Sequence, residues 1–156
     1  MTEETDRFSD AFTVAEKAAL RLIANAEQNS RTLTVKLLKK GFDADVIKEV
    51  VSRFLDRNLL NDTRYAELWI RSRLSGKKNL SPLWLLASLG KKGIDKKSSQ
   101  KALENVLDWE TEYTLLLNYV EKMDIAKSKV TWVMKKQLKK EGFSPEVLDR
   151  FYSSSI

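Results

Sequence analysis

Apolar side chains recur along this chain at three- and four-residue intervals, the spacing that places them on one face of an α-helix. From Phe12 to about Ala26 they fall at Val14, Ala18, Leu22, Ile23 and Ala26, and between Ser30 and Lys40 at Leu33, Leu37 and Leu38. Ser30 is suited to cap the second of these helices, and Asp43 opens a third with Val46, Ile47, Val50, Val51, Phe54 and Leu55 on its face. Asp62 caps a fourth through Tyr65, Ala66, Trp69, Ile70 and Leu74. Ser81-Pro82, a capping residue followed by proline at the first helical position, starts a fifth that ends at Gly93, and Asp95 to Leu107 gives a sixth. A seventh begins near Trp109 and carries Tyr113, Leu115, Leu116, Leu117, Tyr119, Val120 and Met123. An eighth, from about Ala126 to Glu141, sets Val130, Val133, Met134 and Leu138 on one side, and Ser144-Pro145 starts a short ninth. No segment sustains the alternation of a strand, so the expected fold class is all-α.

The pattern repeats. Leu37-Leu38-Lys39-Lys40-Gly41-Phe42, Leu89-Gly90-Lys91-Lys92-Gly93-Ile94 and Leu138-Lys139-Lys140-Glu141-Gly142-Phe143 share a leucine, a mostly basic stretch, a glycine and a large apolar residue. A helix that ends in a left-handed glycine commonly closes with a contact between the apolar residue after the glycine and the one four before it. Each motif therefore reads as helix, tight stop, helix. The stripe after Asp43 returns after Asp95 as Ser98, Ser99, Ala102, Leu103, Val106 and Leu107, and after Ser144 as Val147, Leu148, Phe151 and Tyr152, then Ser155 and Ile156. Recurrence at this period predicts stacked supersecondary units, each burying an apolar face on its neighbour. The expected organisation is a flexible N-terminal segment, 1–12, and three tandem three-helix repeats, 13–60, 61–108 and 109–156, in an elongated, curved array. Ser98 and Ser99 stand where the first copy has Val46 and Ile47, as if the second copy had given up apolar stripe for a basic surface.

Charge separates the copies further. The net charge is +6, and the segment 61–108 holds most of the excess, with ten basic and five acidic side chains. Between Arg71 and Lys101 nine basic residues face a single acid, Asp95. Such a stretch is a footprint for a phosphate backbone or an acidic protein surface. In the sixth helix the stretch Lys96, Lys97, Ser98, Ser99, Gln100 and Lys101 is polar and basic and could lie against either.

The composition narrows the chemistry. Histidine and cysteine are absent, which removes the usual general base near neutral pH, thiol nucleophiles and the common transition-metal ligands. The Gly-Lys-Lys of Gly76 and Gly90 lacks the pattern of a phosphate-binding loop. No enzyme activity and no cofactor are expected. No apolar run approaches a membrane span, and the acidic start is unlike a signal peptide, so the expectation is a cytoplasmic protein. Trp69, Trp84, Trp109 and Trp132 could stack on single-stranded bases, but tryptophans at helical spacing are more often core. Trp84 lies in the consecutive run Leu83-Trp84-Leu85-Leu86, which cannot all face one way.

Leu60-Asn61-Asp62-Thr63-Arg64-Tyr65-Ala66-Glu67-Leu68-Trp69-Ile70-Arg71-Ser72-Arg73, followed by Ser81-Pro82 and Leu89 to Asp95, resembles the RecX family of bacterial recombinase regulators. The opening Ala19-Leu20-Arg21-Leu22-Ile23 and the Leu37 to Phe42 segment resemble that family's first unit, and the likeness runs from about Thr13 to the end. It implies tandem three-helix units that bind the RecA recombinase filament on single-stranded DNA and dampen its ATP hydrolysis, growth and strand exchange, a role in DNA recombination, repair and the SOS response. On this resemblance Arg64, Arg71, Arg73, Lys77, Lys78, Lys91 and Lys92 face the filament or its DNA; Lys96, Lys97 and Lys101 join them from their place in the sixth helix. The protein is expected to be a monomer. The chain departs from the family pattern at Leu83 to Ser88, where an apolar contact replaces an ionic one. A helix-turn-helix DNA binder acting without a recombinase, and a plain helical scaffold, are the competing readings.

Overall fold

The computed structural model of the chain describes residues 2–76, 79–123 and 132–154. Among them the secondary structure is helical throughout: α1 (Glu3–Asn25), α2 (Ser30–Lys39), α3 (Ala44–Asp56), α4 (Asp62–Leu74), α5 (Pro82–Lys91), α6 (Lys96–Val106), α7 (Trp109–Lys122), α8 (Trp132–Lys140) and α9 (Pro145–Ser153). The all-α class holds. The chain forms two compact units, Met1–Tyr65 with Lys92–Ile94, and Ala66–Lys91 with Asp95–Ile156.

In the first unit α1, α2 and α3 pack on one another. Ala15 and Ala19 of α1 are fully buried beside Leu33, Leu37, Val46, Ile47, Val50, Phe54 and Leu60. Alanine at the contact face lets the α1 backbone come close, and the larger side chains of α2 and α3 fill the remaining space. α1 begins at Glu3, so residues 3–12 form its first turns. Its first residues, Thr2 to Asp10, are exposed, and no core holds them. Glu3, Glu4 and Asp6 in the first turn instead complement the positive end of the helix dipole.

The glycine joints take the form the spacing implies. Gly41, Gly93 and Gly142 have φ of +92°, +88° and +92°. In the first joint the Gly41 N–H donates to the Leu38 carbonyl at 3.0 Å and the Phe42 N–H to the Leu37 carbonyl at 3.3 Å, the paired bonds that close a helix C-terminus. Asn58, φ +57°, does the same for α3, with its N–H on Leu55 and that of Leu59 on Phe54. Asparagine tolerates this backbone region better than most residues.

Two expected caps move by one residue. Asn29 caps α2 in a reciprocal box with Thr32, and the Asn61 carboxamide accepts the Arg64 N–H at 2.9 Å. Ser30 and Asp62 are thereby released to bind each other: the Asp62 carboxylate accepts the Ser30 N–H at 2.8 Å and its hydroxyl at 2.9 Å. Asn outcompetes its neighbour because its side-chain oxygen reaches the N3 amide from the position just outside the helix.

The second unit uses related devices. The Ser81 hydroxyl accepts the Trp84 N–H at 3.1 Å and donates to the Glu141 carboxylate at 2.7 Å, while the Leu83 N–H donates to the Glu141 carbonyl at 2.9 Å. Glu112 of α7 accepts both the N–H and the hydroxyl of Ser144, at 2.6 and 3.1 Å. Leu115, Leu116, Val120, Met134, Leu138, Phe143, Val147, Leu148 and Phe151 are buried here. Val133 is not on that side: it is 66% exposed. Met134 and Leu138, four apart, define the inward line of α8, and Val133 lies about 100° away from it. Val130 and the start of the expected eighth helix lie outside the described residues.

A side chain at Gly41 meets open space, whereas at Gly142 it would come within 3.3 Å of Pro82 Cβ and 3.4 Å of the Leu83 backbone nitrogen. Gly41→Ala is expected to cost about 1–2 kcal/mol, the left-handed penalty alone. Gly142→Ala should cost more, because α5 must also shift. Denaturant midpoints of the two variants check the order.

Candidate binding surface

The basic residues of the middle segment fall into two groups by what holds them. Arg64, at the start of α4, is engaged within the first unit: Nε donates to Glu27 Oε1 at 2.8 Å, Nη1 to the Asn58 carbonyl at 3.3 Å and Nη2 to the Leu59 carbonyl at 3.4 Å. Its planar fork thus fastens the turn after α3 to the end of α1, a structural task suited to arginine. Lys92 also belongs to the first unit. Arg71, Arg73, Lys91, Lys96, Lys97 and Lys101 belong to the second unit and are exposed. Lys77 and Lys78 lie outside the described residues.

Glu67 joins α4 to α6. Its Oε1 accepts from Asn105 Nδ2 at 2.7 Å, and its Oε2 lies 3.8 Å from Arg71 Nη1. Lys97, Lys101 and Asn105 are spaced four apart on α6, so the lysines continue the row that Asn105 anchors to α4. The Arg71 side chain is 56% exposed, and an ion pair this long and open contributes little to stability and leaves the guanidinium accessible to a stronger acceptor. The Glu67–Arg71 spacing was readable as an i,i+4 pair; the Asn105 contact, 38 residues away in sequence, carried no local signal.

Asp95, the only acid within the basic stretch from Arg71 to Lys101, serves as the N-cap of α6, its Oδ2 accepting the Ser98 N–H at 3.1 Å. Bonds from the Ser98 side chain first and its backbone second hold the Asp95 carboxyl below its ordinary range, outweighing a small effect of burial. Asp108 caps α7 through Thr111 with the same consequence. Ser99 does not join the polar surface. It is 2% exposed, in the core position that Ile47 fills in α3, and its hydroxyl has no hydrogen-bond partner among the described residues. The helical register, which puts Ser99 in line with Ala102 and Leu103, overrides its polarity.

The run Leu83 to Leu86 divides as its crowding required. Leu85 is fully buried, while Leu83 and Trp84 are 44% and 43% exposed. The Trp84 ring stacks on Trp69, with centroids 6.0 Å apart and an interplanar angle of 22°. The Arg73 guanidinium lies 5.4 Å from the Trp69 ring centroid. Trp109 stacks on Tyr113, and Trp132 is 73% exposed. No group of three or more acidic side chains suited to hold a metal ion occurs among the described residues, and none of their helices is long and apolar enough to cross a membrane.

Short helices closed by left-handed glycines, with exposed cations on α4 to α6, define an all-α protein built from small helical units. Comparison with known proteins gives the family. The family models of the RecX first and second three-helix domains match residues 15–54 and 61–103. The chain belongs to the RecX family. It is 31% identical over 136 residues to the regulatory protein RecX of Treponema pallidum (strain Nichols), covering 87% of this chain and 82% of that one. It is 30% identical over 120 residues to the RecX of Clostridium perfringens (strain SM101 / Type A), covering 77% and 55%. The crystal structure of RecX from Lactobacillus salivarius has the same fold, with a TM-score of 0.66 at 23% identity over 94% of this chain and 97% of that one.

Two outcomes are expected of α6. Because the folded-state pKa of Asp95 lies below the ordinary value of 3.8, its capping contribution is complete above that value and is lost as pH falls through the lower one. An NMR pH titration should show the Ser98 amide losing its bond there, and Asp95→Asn, which keeps an acceptor without a titrating group, should abolish the transition. Ser99→Ala removes a buried hydroxyl that has no hydrogen-bond partner among the described residues and should raise stability by about 1 kcal/mol or less, read as a higher thermal midpoint.

Proposed function

We propose that this chain binds filaments of RecA recombinase on single-stranded DNA and lowers their ATP hydrolysis, growth and strand exchange. Membership of the RecX family is the observation that carries this reading, and the relatives named above are regulatory proteins. The exposed cations of α4 to α6 support it, since a filament on DNA offers phosphates and acidic protein surface together. In this reading Arg71, Arg73, Lys77, Lys78, Lys91, Lys92, Lys96, Lys97 and Lys101 face the filament, and Arg64 supports them by bracing the start of α4. The protein works as a cytoplasmic monomer, without a cofactor and without chemistry of its own. Residues 109–156 form a third three-helix domain, for which the third glycine joint and the buried stripe of α9 are the support.

Adding the full chain should lower the DNA-dependent ATP hydrolysis of the cognate RecA in a steady-state assay. No change at saturating concentration overturns the proposal. Arg71→Glu with Arg73→Glu should raise the concentration needed for half-inhibition on the order of tenfold, as loss of charge complementarity does elsewhere. The circular dichroism spectrum should stay unchanged, because the pairs these two arginines make are exposed.

A further inference from the structure

The exposed side of α4 and α5 in the second unit has an unusual composition. Leu83 and Trp84 of α5 are 44% and 43% exposed, and Arg73, exposed on α4, lies over the Trp69 ring on which Trp84 stacks. Burial does not account for Trp84. Its neighbour Leu85 supplies the inward contact of that turn, and Trp84 instead lies along Trp69 with the rest of its ring in solvent. Trp69 is in turn held by Arg73. An indole backed by a second ring and a guanidinium is fixed in orientation before any partner arrives, which spares the ordering cost of binding.

We infer that Trp84, backed by Trp69, is a stacking platform for an unpaired base of single-stranded nucleic acid, with Arg73 taking a flanking phosphate. Charge complementarity selects this occupant. An aromatic face with an arginine on the adjoining helix is the combination by which proteins hold single strands without reading sequence, the ring taking any base and the cation the backbone. A purely apolar protein partner would leave the Arg73 guanidinium desolvated without an acceptor. Arg73 can bind a phosphate oxygen through one edge of its guanidinium while staying near Trp69. The inference extends the filament reading by giving the chain its own grip on the strand, and it can fail separately.

The test uses the full chain with a fluorescently labelled oligothymidylate and an abasic oligomer of the same length, read by anisotropy over a range of salt. Wild type should prefer oligothymidylate. Trp84→Ala should lose about tenfold in affinity for oligothymidylate, keep its salt slope and leave abasic binding unchanged, while Trp84→Phe keeps most of the affinity. Arg73→Gln should reduce the salt slope by about 0.7, one single-strand phosphate contact. Circular dichroism of each variant verifies the fold. Equal binding of both oligomers by wild type, no binding of either, or equal binding of oligothymidylate by wild type and Trp84→Ala overturns the platform. If Trp84→Ala loses inhibition of RecA ATP hydrolysis but not strand binding, the patch is a protein contact and the platform is likewise overturned. If wild type binds oligothymidylate through Trp84 yet leaves RecA ATP hydrolysis untouched, the filament reading fails and the platform stands.

Discussion

Eight of the helices here, α2 to α9, are between 9 and 14 residues long, and helices of that length are marginal in water when isolated. Each leaves amide and carbonyl groups at its ends that need partners. The protein answers at the N-termini with serines held from another helix: Ser30 by Asp62, Ser81 by Glu141 and Ser144 by Glu112. At the C-termini it answers with left-handed residues that turn the chain back on the last carbonyls. Packing of the apolar stripes follows from these two constraints, because they fix the angle at which one short helix meets the next.

Glu141 shows how far this economy goes. It precedes the left-handed Gly142 at the end of α8, and with its carbonyl and carboxylate it also satisfies the start of α5. One residue thus closes one helix and opens another 60 positions away. Asp62, the first residue of α4, likewise holds the start of α2.

Much of the fold was legible in the sequence because it rests on local rules. The left-handed glycines, the Ser81-Pro82 start and most of the stripes of α3 and α9 are short-range features that stand where the spacing places them, with Leu55 at the end of the α3 stripe 43% exposed and Ser155 and Ile156 outside the described residues. The departures have a common cause. Ser30 and Asp62 are each good caps, but Asn29 and Asn61 are equally good, and only the pairing across 32 residues decides between them. The polarity of Ser99 points to the surface, whereas its position in the helix decides its burial. Val133 fits an apolar stripe whose phase Met134 and Leu138 set differently. On the basic surface the sequence supplied the charges and the structure supplied their employment: Arg64 spent on Glu27 and two carbonyls, Arg71 lightly held, Arg73 laid beside a tryptophan. The stack of Trp69 on Trp84 joins two helices distant in sequence, so nothing in either segment alone announced it.

A Cβ at Gly142 would meet Pro82 and the Leu83 amide at the first turn of α5, and Trp84 is the next residue. The joint at the end of α8 therefore leaves little room beside the turn that carries the Trp84 indole. A side chain there would press on that turn without altering a single side chain on the exposed face. A residue with no surface role of its own would in this way act as a remote adjustment of what the surface presents, and sequence drift at positions 141 and 142 would be felt first in the alignment of two aromatic planes.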